Sequence, residues 1–326
     1  MDKTIILRRL GKSELMVSPI GLGCWQFSRQ KGLGGKYWPF LEESEIFEIV
    51  RVSLEGGINW FDTAEAYGMG ESEKALSEAL RKLGKSKEEV IIATKWMPLL
   101  RLAKSIIKTI DKRIQSLNNY RIDLYQIHQP LSFSSIKAQM RAMAQLVHEK
   151  KIRYVGISNF SAKRMRKAHD ELSSLGLQLT SNQVRYSLLD RRIETNGILD
   201  TARELGVSII AYSPLAQGIL SGKFHDNPGL IRKRSGYRKY MGAFRAKGLE
   251  RSRGVVTALK EFAEKYRVTP AQIALNWVIN CCGDKVVAIP GATSSTQAKD
   301  NTGSMRFKLT EDELHRLDEV SASFKS

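Results

Sequence analysis

Ile91-Ile92-Ala93-Thr94-Lys95-Trp96, then a stretch of helical period over 105–117, then Leu124-Tyr125-Gln126-Ile127-His128-Gln129-Pro130, decides the architecture. The two apolar runs are nearly continuous. Such runs have both faces buried, as strands of a parallel sheet packed between helices do. Working outward, the same unit recurs in both directions. β-rich apolar runs occupy 20–25, 59–64, 90–96, 123–128, 152–158, 178–186, 208–214 and 286–290. Helical periods between them include 45–55, 71–83, 105–117, 136–149, 198–205 and 270–279. Eight strand–helix units are the count of a (β/α)8 TIM barrel, an α/β fold. A doubly wound sheet is the competing arrangement, but no strand is followed by a clean GxGxxG turn. A chain of 326 residues suggests two domains by length, yet barrels of this length are one domain, so 1–326 reads as a single unit.

Local signals support this parse. Thr269-Pro270 is an N-cap followed by proline at the first helical position. Ser44 and Ser134 are placed to cap the helices after them, and Gly84 and Gly206 sit where a C′ glycine stops a helix. Two segments fall outside the eight units. Residues 5–9 and 15–17, joined around Gly11-Lys12-Ser13, predict a β-hairpin that plugs the N-terminal mouth. Residues 222–253, after the seventh strand, predict a long basic loop over the C-terminal mouth, of the size that lids and binding segments have. That loop holds ten Lys or Arg against Asp226 and Glu250.

The 42% apolar and 26% charged content are those of an ordinary globular protein. Three cysteines, Cys24, Cys281 and Cys282, are too few and wrongly spaced for a disulfide framework. They read as free thiols in a reducing, cytoplasmic setting. The N-terminus lacks the apolar core of a signal peptide, and no window reaches a membrane-spanning length. The net charge of +18 attracts polyanions. A solvated basic surface and a local anion site account for it. Nucleic-acid binding as the main function lacks a zinc-finger spacing, an RNP motif, or aromatics among the basic runs.

Chemistry in a barrel happens where strands end. Asp62 and Tyr67 follow the second strand in Trp60-Phe61-Asp62-Thr63-Ala64-Glu65-Ala66-Tyr67-Gly68. Lys95 ends the third strand and His128 the fourth. Adjacent strands bring all four to one mouth. An ordinary tyrosine, with a pKa of about 10, is a poor proton donor at neutral pH. A lysine beside it favours the phenolate and lowers that value. Asp62 would hold Lys95 charged, and His128 would offer a hydrogen bond to a carbonyl oxygen. The set makes a general acid with an orienting group, as carbonyl reduction needs.

With these residues in view, the chain resembles the aldo-keto reductases along almost its whole length. The likeness runs through Leu10-Gly11-Lys12-Ser13, Gly21-Leu22-Gly23-Cys24-Trp25, Asn59-Trp60-Phe61-Asp62-Thr63-Ala64 and Tyr67-Gly68-Met69-Gly70-Glu71-Ser72-Glu73. It continues through Gly156-Ile157-Ser158-Asn159-Phe160, Asn182-Gln183, Tyr212-Ser213-Pro214-Leu215 and Ile289-Pro290-Gly291. The resemblance implies a catalytic set of Asp62, Tyr67, Lys95 and His128, and a nicotinamide cofactor held without a Rossmann domain. It implies that Tyr212 stacks on the nicotinamide and that Ser158, Asn159 and Gln183 hold its carboxamide. Ser213, Leu215, Gly218 and Leu220 would follow the pyrophosphate, and Asp300 and Asn301 the adenine end. Trp25, Pro214 and Gly291 complete the expected cofactor set.

The usual cation after Ile-Pro is missing from Pro290-Gly291-Ala292-Thr293-Ser294-Ser295-Thr296-Gln297. In this respect the chain is similar to the potassium-channel β-subunit branch. That likeness implies that Thr293, Gln297 and Lys223 meet a 2′-phosphate, favouring NADPH over NADH. The expected partner is a small carbonyl compound, with Trp25, Phe27, Trp96 and Gln129 lining its pocket. An NADP(H)-binding regulatory subunit with little turnover is the alternative function. An oligomer is compatible with the sequence but not specified by it. Gly32-Leu33-Gly34-Gly35-Lys36 lacks the Walker spacing and reads as a lid. The scattered histidines predict no metal site.

Overall fold

A computed structural model describes residues 5–32, 35–233 and 236–326. Leu33 and Gly34 of the expected Gly-rich lid, Arg234 of the basic loop, and the first four residues lie outside the described residues.

The hairpin comes first: β1 (Arg8–Arg9) pairs antiparallel with β2 (Met16–Val17). The barrel strands are β3 (Leu22–Gly23), β4 (Trp60–Asp62), β5 (Ile91–Trp96), β6 (Ile122–Ile127), β7 (Ile152–Ser158), β8 (Leu179–Arg185), β9 (Ser208–Tyr212) and β10 (Val286–Ala288). They form one parallel sheet in sequence order. Bridges from Ile20 to Ala288 and from Gly23 to Gly291 join its two edges and close it into a (β/α)8 barrel. The closure is tight. A Cβ on Gly23 would lie 2.7 Å from the Ile289 carbonyl oxygen, so only glycine fits there without a shift.

The outer ring contains α1 (Glu43–Glu55), α2 (Glu71–Lys82), α3 (Lys104–Ser116), α4 (Ile136–His148), α5 (Ala162–Ser173) and α6 (Ile198–Leu205). It continues with α7 (Lys223–Asp226), α8 (Ala246–Tyr266), α9 (Pro270–Asn280), α10 (Ser295–Gly303) and α11 (Glu311–Val320). Thr269 and Gln272 form a reciprocal capping box with Pro270 in the first turn. Gly206 ends α6 at φ +69°, as its position suggested. Two expected caps are displaced. Glu42, with Glu45, caps α1, leaving Ser44 inside the helix. Ser135 caps α4, while the Ser134 hydroxyl accepts from the Ala103 amide at 2.8 Å and ties two loops together.

The hairpin plugs the N-terminal end as expected. Leu10, Leu15 and Val17 pack against Trp60, Ala93, Leu124, Ile210 and Val287 inside the barrel. The Gly11 amide donates to the Ser208 hydroxyl at 2.7 Å, in a turn where a side chain would collide with the Thr180 carbonyl. The basic segment after β9 is less loop-like than its sequence suggested. It contains α7 and short 3-10 turns, and residues 246–253 are the first turns of α8. Ile219, Phe224, Phe244 and Leu249 form a small apolar cluster that fixes this start. Among the described residues no helix is long and apolar enough to cross a membrane.

Candidate active site

Inward-facing residues alternate along each barrel strand. Trp60, Ala93 and Leu124 make a deep apolar layer. Two residues further along the same strands stand Asp62, Lys95 and Gln126, all buried. The alternation therefore sets a polar layer directly above an apolar floor.

The Lys95 ammonium donates to the Asp62 carboxylate, to the Thr63 carbonyl at 2.9 Å and to the Tyr67 hydroxyl at 3.3 Å. Gln126 and Gln183 donate to the other Asp62 oxygen at 3.0 and 2.9 Å. A buried ion pair survives only when its remaining valences are satisfied, and these amides supply that. Burial opposes the charge on Lys95, but Asp62 and then Tyr67 outweigh it and raise its pKa. For Tyr67, burial dominates and raises the phenol, with Lys95 opposing. The expected lowering by Lys95 is thus present but outweighed, because the ring is sunk in the protein.

His128 meets the Tyr67 ring edge-on at 5.5 Å. Burial first, and Lys95 second, lower its pKa to about 3. Its Nδ1 has no hydrogen-bond partner among the described residues. It is therefore neutral across the physiological range. In the unfolded chain its pKa is about 6.5, so between that value and 3 the unfolded state binds more protons. Stability from this group is complete above pH 6.5 and falls as pH drops toward 3. We expect urea-unfolding free energies of the wild type to decline more steeply over that window than those of His128→Gln. Parallel curves for the two proteins would contradict the neutral imidazole.

A cleft of about 1020 Å³ opens over these residues. Asp62, Tyr67, His128, Trp25, Ser158, Asn159, Gln183, Tyr212, Ser213, Pro214, Leu215 and Gly218 border it. So do Lys223, Gly291, Thr293, Gln297, Asp300 and Asn301. Lys95 lies behind Tyr67. Leu220 is fully buried and does not border the cleft. Of the expected substrate-pocket residues, Trp25 and Gln129 border it. Phe27 and Trp96 instead face the core, and the Trp96 indole donates to the Ser105 hydroxyl at 3.0 Å. Tyr37, Trp38 and Met97 line the wall in their place. Trp25 stacks on Tyr37 at 4.6 Å and on Tyr67 at 5.8 Å.

The polar groups along the cleft form a chain. The Tyr212 hydroxyl donates to the Asn159 side-chain oxygen at 3.0 Å, and the Asn159 amide donates to the Ser158 hydroxyl at 3.1 Å. Asn159, Ser213, Ala216 and Gln217 adopt positive φ, strained conformations of the kind that gather at functional sites. The Tyr37 hydroxyl donates to the Gln217 side-chain oxygen at 2.6 Å, bridging two loops of the cleft. Thr293 donates through its amide and hydroxyl to Gln297 at 2.9 and 3.2 Å. Tyr212 and these amides could hold a flat amide-bearing ring, and Lys223, which borders the same cleft, could meet a long anionic ligand.

Sequence reasoning missed Gln126, Tyr37 and Gln217. Gln126 had a signal: it is polar and shares the parity of His128 in an apolar strand. Tyr37 and Gln217 come from loops and had none.

Residues 19–322 match the aldo/keto reductase family. The chain belongs to that family. This aldo/keto reductase is 36% identical over 310 residues to an uncharacterized oxidoreductase of Mycobacterium tuberculosis (strain ATCC 25618 / H37Rv), covering 95% of this chain and 91% of that protein. It is 32% identical over 316 residues to the chloroplastic pyridoxal reductase of Arabidopsis thaliana, covering 93% and 83%. The solved glycerol dehydrogenase of Gluconobacter oxydans superposes with a TM-score of 0.84 at 25% identity, over 98% of this chain and 96% of that one. The aldo/keto reductase identity makes the protein an oxidoreductase.

Proposed function

We propose that this protein reduces aldehydes or ketones to alcohols with NADPH, residues 1–326 acting as one cytoplasmic enzyme domain. The observation that carries this reading is the Lys95 ammonium, paired with Asp62 and 3.3 Å from the Tyr67 hydroxyl at the cleft floor. When bound, the cofactor supplies hydride to the carbonyl carbon. Tyr67 donates its proton to the carbonyl oxygen. Burial keeps that proton in place until a substrate arrives. As the proton leaves, phenolate charge develops beside the fixed ammonium, which stabilises the transition state more than the ground state. His128, being neutral, is a hydrogen-bond donor that aligns the carbonyl without competing as an acid. Asp62, held by Gln126 and Gln183, keeps Lys95 charged and in place.

Tyr212 would stack on the nicotinamide, with Ser158, Asn159 and Gln183 at its carboxamide. Lys223, Thr293 and Gln297 would read the 2′-phosphate. A charge-assisted contact contributes roughly 1.5–3 kcal/mol. We therefore expect Lys223→Ala to weaken NADPH binding by about one to two decades while NADH binding barely changes. Fluorescence titration of both cofactors checks this, and equal losses would show that Lys223 does not read the phosphate.

The test of function is oxidation of NADPH and of NADH followed spectrophotometrically with a carbonyl panel. It should include 4-nitrobenzaldehyde for the aromatic wall, pyridoxal after the name of the Arabidopsis thaliana relative, and glyceraldehyde as an oxidised form of the glycerol in the name of the Gluconobacter oxydans enzyme. Turnover with NADPH is expected. Tight NADPH binding without turnover of any carbonyl would overturn the reading.

A further inference from the structure

Cys281 and Cys282 follow the last turn of α9, and neither borders the cleft. Both residues are partly exposed, and their thiols are free of disulfides. Their sulfurs lie 3.4 Å apart. The Tyr186 hydroxyl sits 3.2 Å from one sulfur and 3.5 Å from the other. It gives its proton to the Glu194 carboxylate at 2.8 Å, so towards the sulfurs it acts as an acceptor. The two thiols are thus held side by side, on the same side of one phenol oxygen.

A direct bond between them is unfavourable. Adjacent Cα atoms are about 3.8 Å apart, below the roughly 4.4–6.8 Å that relaxed disulfides span. One soft atom placed between the sulfurs removes that strain. Two bonds of about 2.3 Å, the length of a zinc–thiolate bond, span about 3.3 Å when they meet near a right angle. The sulfurs already stand at almost that separation. A tetrahedral metal such as zinc needs four ligands, and an ion content with two thiolates holds them in a line, about 4.6 Å apart for bonds of that length. Among the described residues no group of three His, Cys, Asp or Glu side chains is placed to hold one. Glu194 is engaged by Arg191 through two hydrogen bonds of 2.7 Å and by Tyr186. The fitting ligand is an atom with one valence already filled that needs two thiolates.

We propose that Cys281 and Cys282 form a bidentate site for a trivalent arsenical bearing one carbon substituent. Two As–S bonds form, and the oxide oxygen leaves as water with both thiol protons. Arsenic stays trivalent and nothing is oxidised. The site does not depend on the carbonyl-reducing reading.

The experiment adds phenylarsine oxide to the reduced full-length protein and follows intact mass and maleimide labelling. The expected result is one phenylarsenic per chain with protection of two of the three thiols. A small dithiol should reverse it, and a monothiol at equal concentration should not. Cys281→Ser and Cys282→Ser should each weaken capture by about 100-fold or more, the advantage lost when the second bond is no longer intramolecular. Cys24→Ser should change nothing. Circular dichroism establishes that each variant is folded, and if one is not, the other carries the test. No incorporation, or capture that survives in a folded Cys282→Ser protein with the same dithiol reversal, would overturn the proposal. So would a Cys281–Cys282 disulfide already present in protein purified without reductant.

Discussion

Tyr67→Phe is expected to lower kcat for aldehyde reduction by about 10²–10⁴-fold, the usual contribution of a positioned general acid. The substitution keeps the ring, its stacking on Trp25 and its edge-on contact with His128. It removes only the transferable proton and the hydroxyl that meets Lys95. NADPH affinity should stay nearly constant, since the proposed cofactor contacts lie on other strands, loops and helices. Steady-state rates with 4-nitrobenzaldehyde across pH 6–9, with a fluorescence titration of NADPH, check both halves. A variant working at the wild-type rate would remove Tyr67 from the proposed chemistry. An equal loss of cofactor affinity would mean that the hydroxyl serves binding instead.

Lys95→Met should abolish measurable turnover and also destabilise the fold. Lys95 and Asp62 are 0% and 1% exposed. Removing one partner of such a pair costs about 3–5 kcal/mol, because the other charge is left uncompensated. Gln126 and Gln183 still donate to Asp62, which places the expected loss toward the lower end. Adding Asp62→Asn should recover much of the stability and none of the activity. Urea unfolding of the single and double variants separates the two effects. A Lys95→Met protein as stable as wild type would contradict a buried ion pair at this site.

The barrel was legible because its strands are buried on both faces and most of them carry nearly continuous apolar runs. The four candidate catalytic residues were legible because Asp62, Lys95 and His128 are ionisable groups at or just past the ends of such runs, and Tyr67 lies on the loop that leaves the first of them. Where the reading slipped, a longer-range contact overrode a local cue. Ser44 has the composition of a cap, yet the Glu42 carboxylate starts α1 earlier. Phe27 and Trp96 flank the site in sequence but turn into the core, which no local pattern reveals. The first turns of α8 were hidden by a run of basic residues, because their apolar partners Ile219 and Phe224 lie well upstream of Leu249, beyond the reach of a helical period. The Tyr37–Gln217 bridge spans 180 positions, beyond any spacing rule.

The seam between β3 and β10 carries a consequence for how the protein comes into being. Of the eight barrel strands β3 is made first and β10 last, so closure waits until all eight have been made. Pairings this distant in sequence form slowly. Until Gly291 reaches Gly23, the nascent sheet has two open edges that invite other chains. Gly291, Thr293, Gln297 and Asn301, which border the cleft, all follow that last barrel strand. A ligand that binds only the closed ring pulls the equilibrium toward it by mass action. The dinucleotide proposed for the cleft would therefore act as a clasp on a newly made barrel.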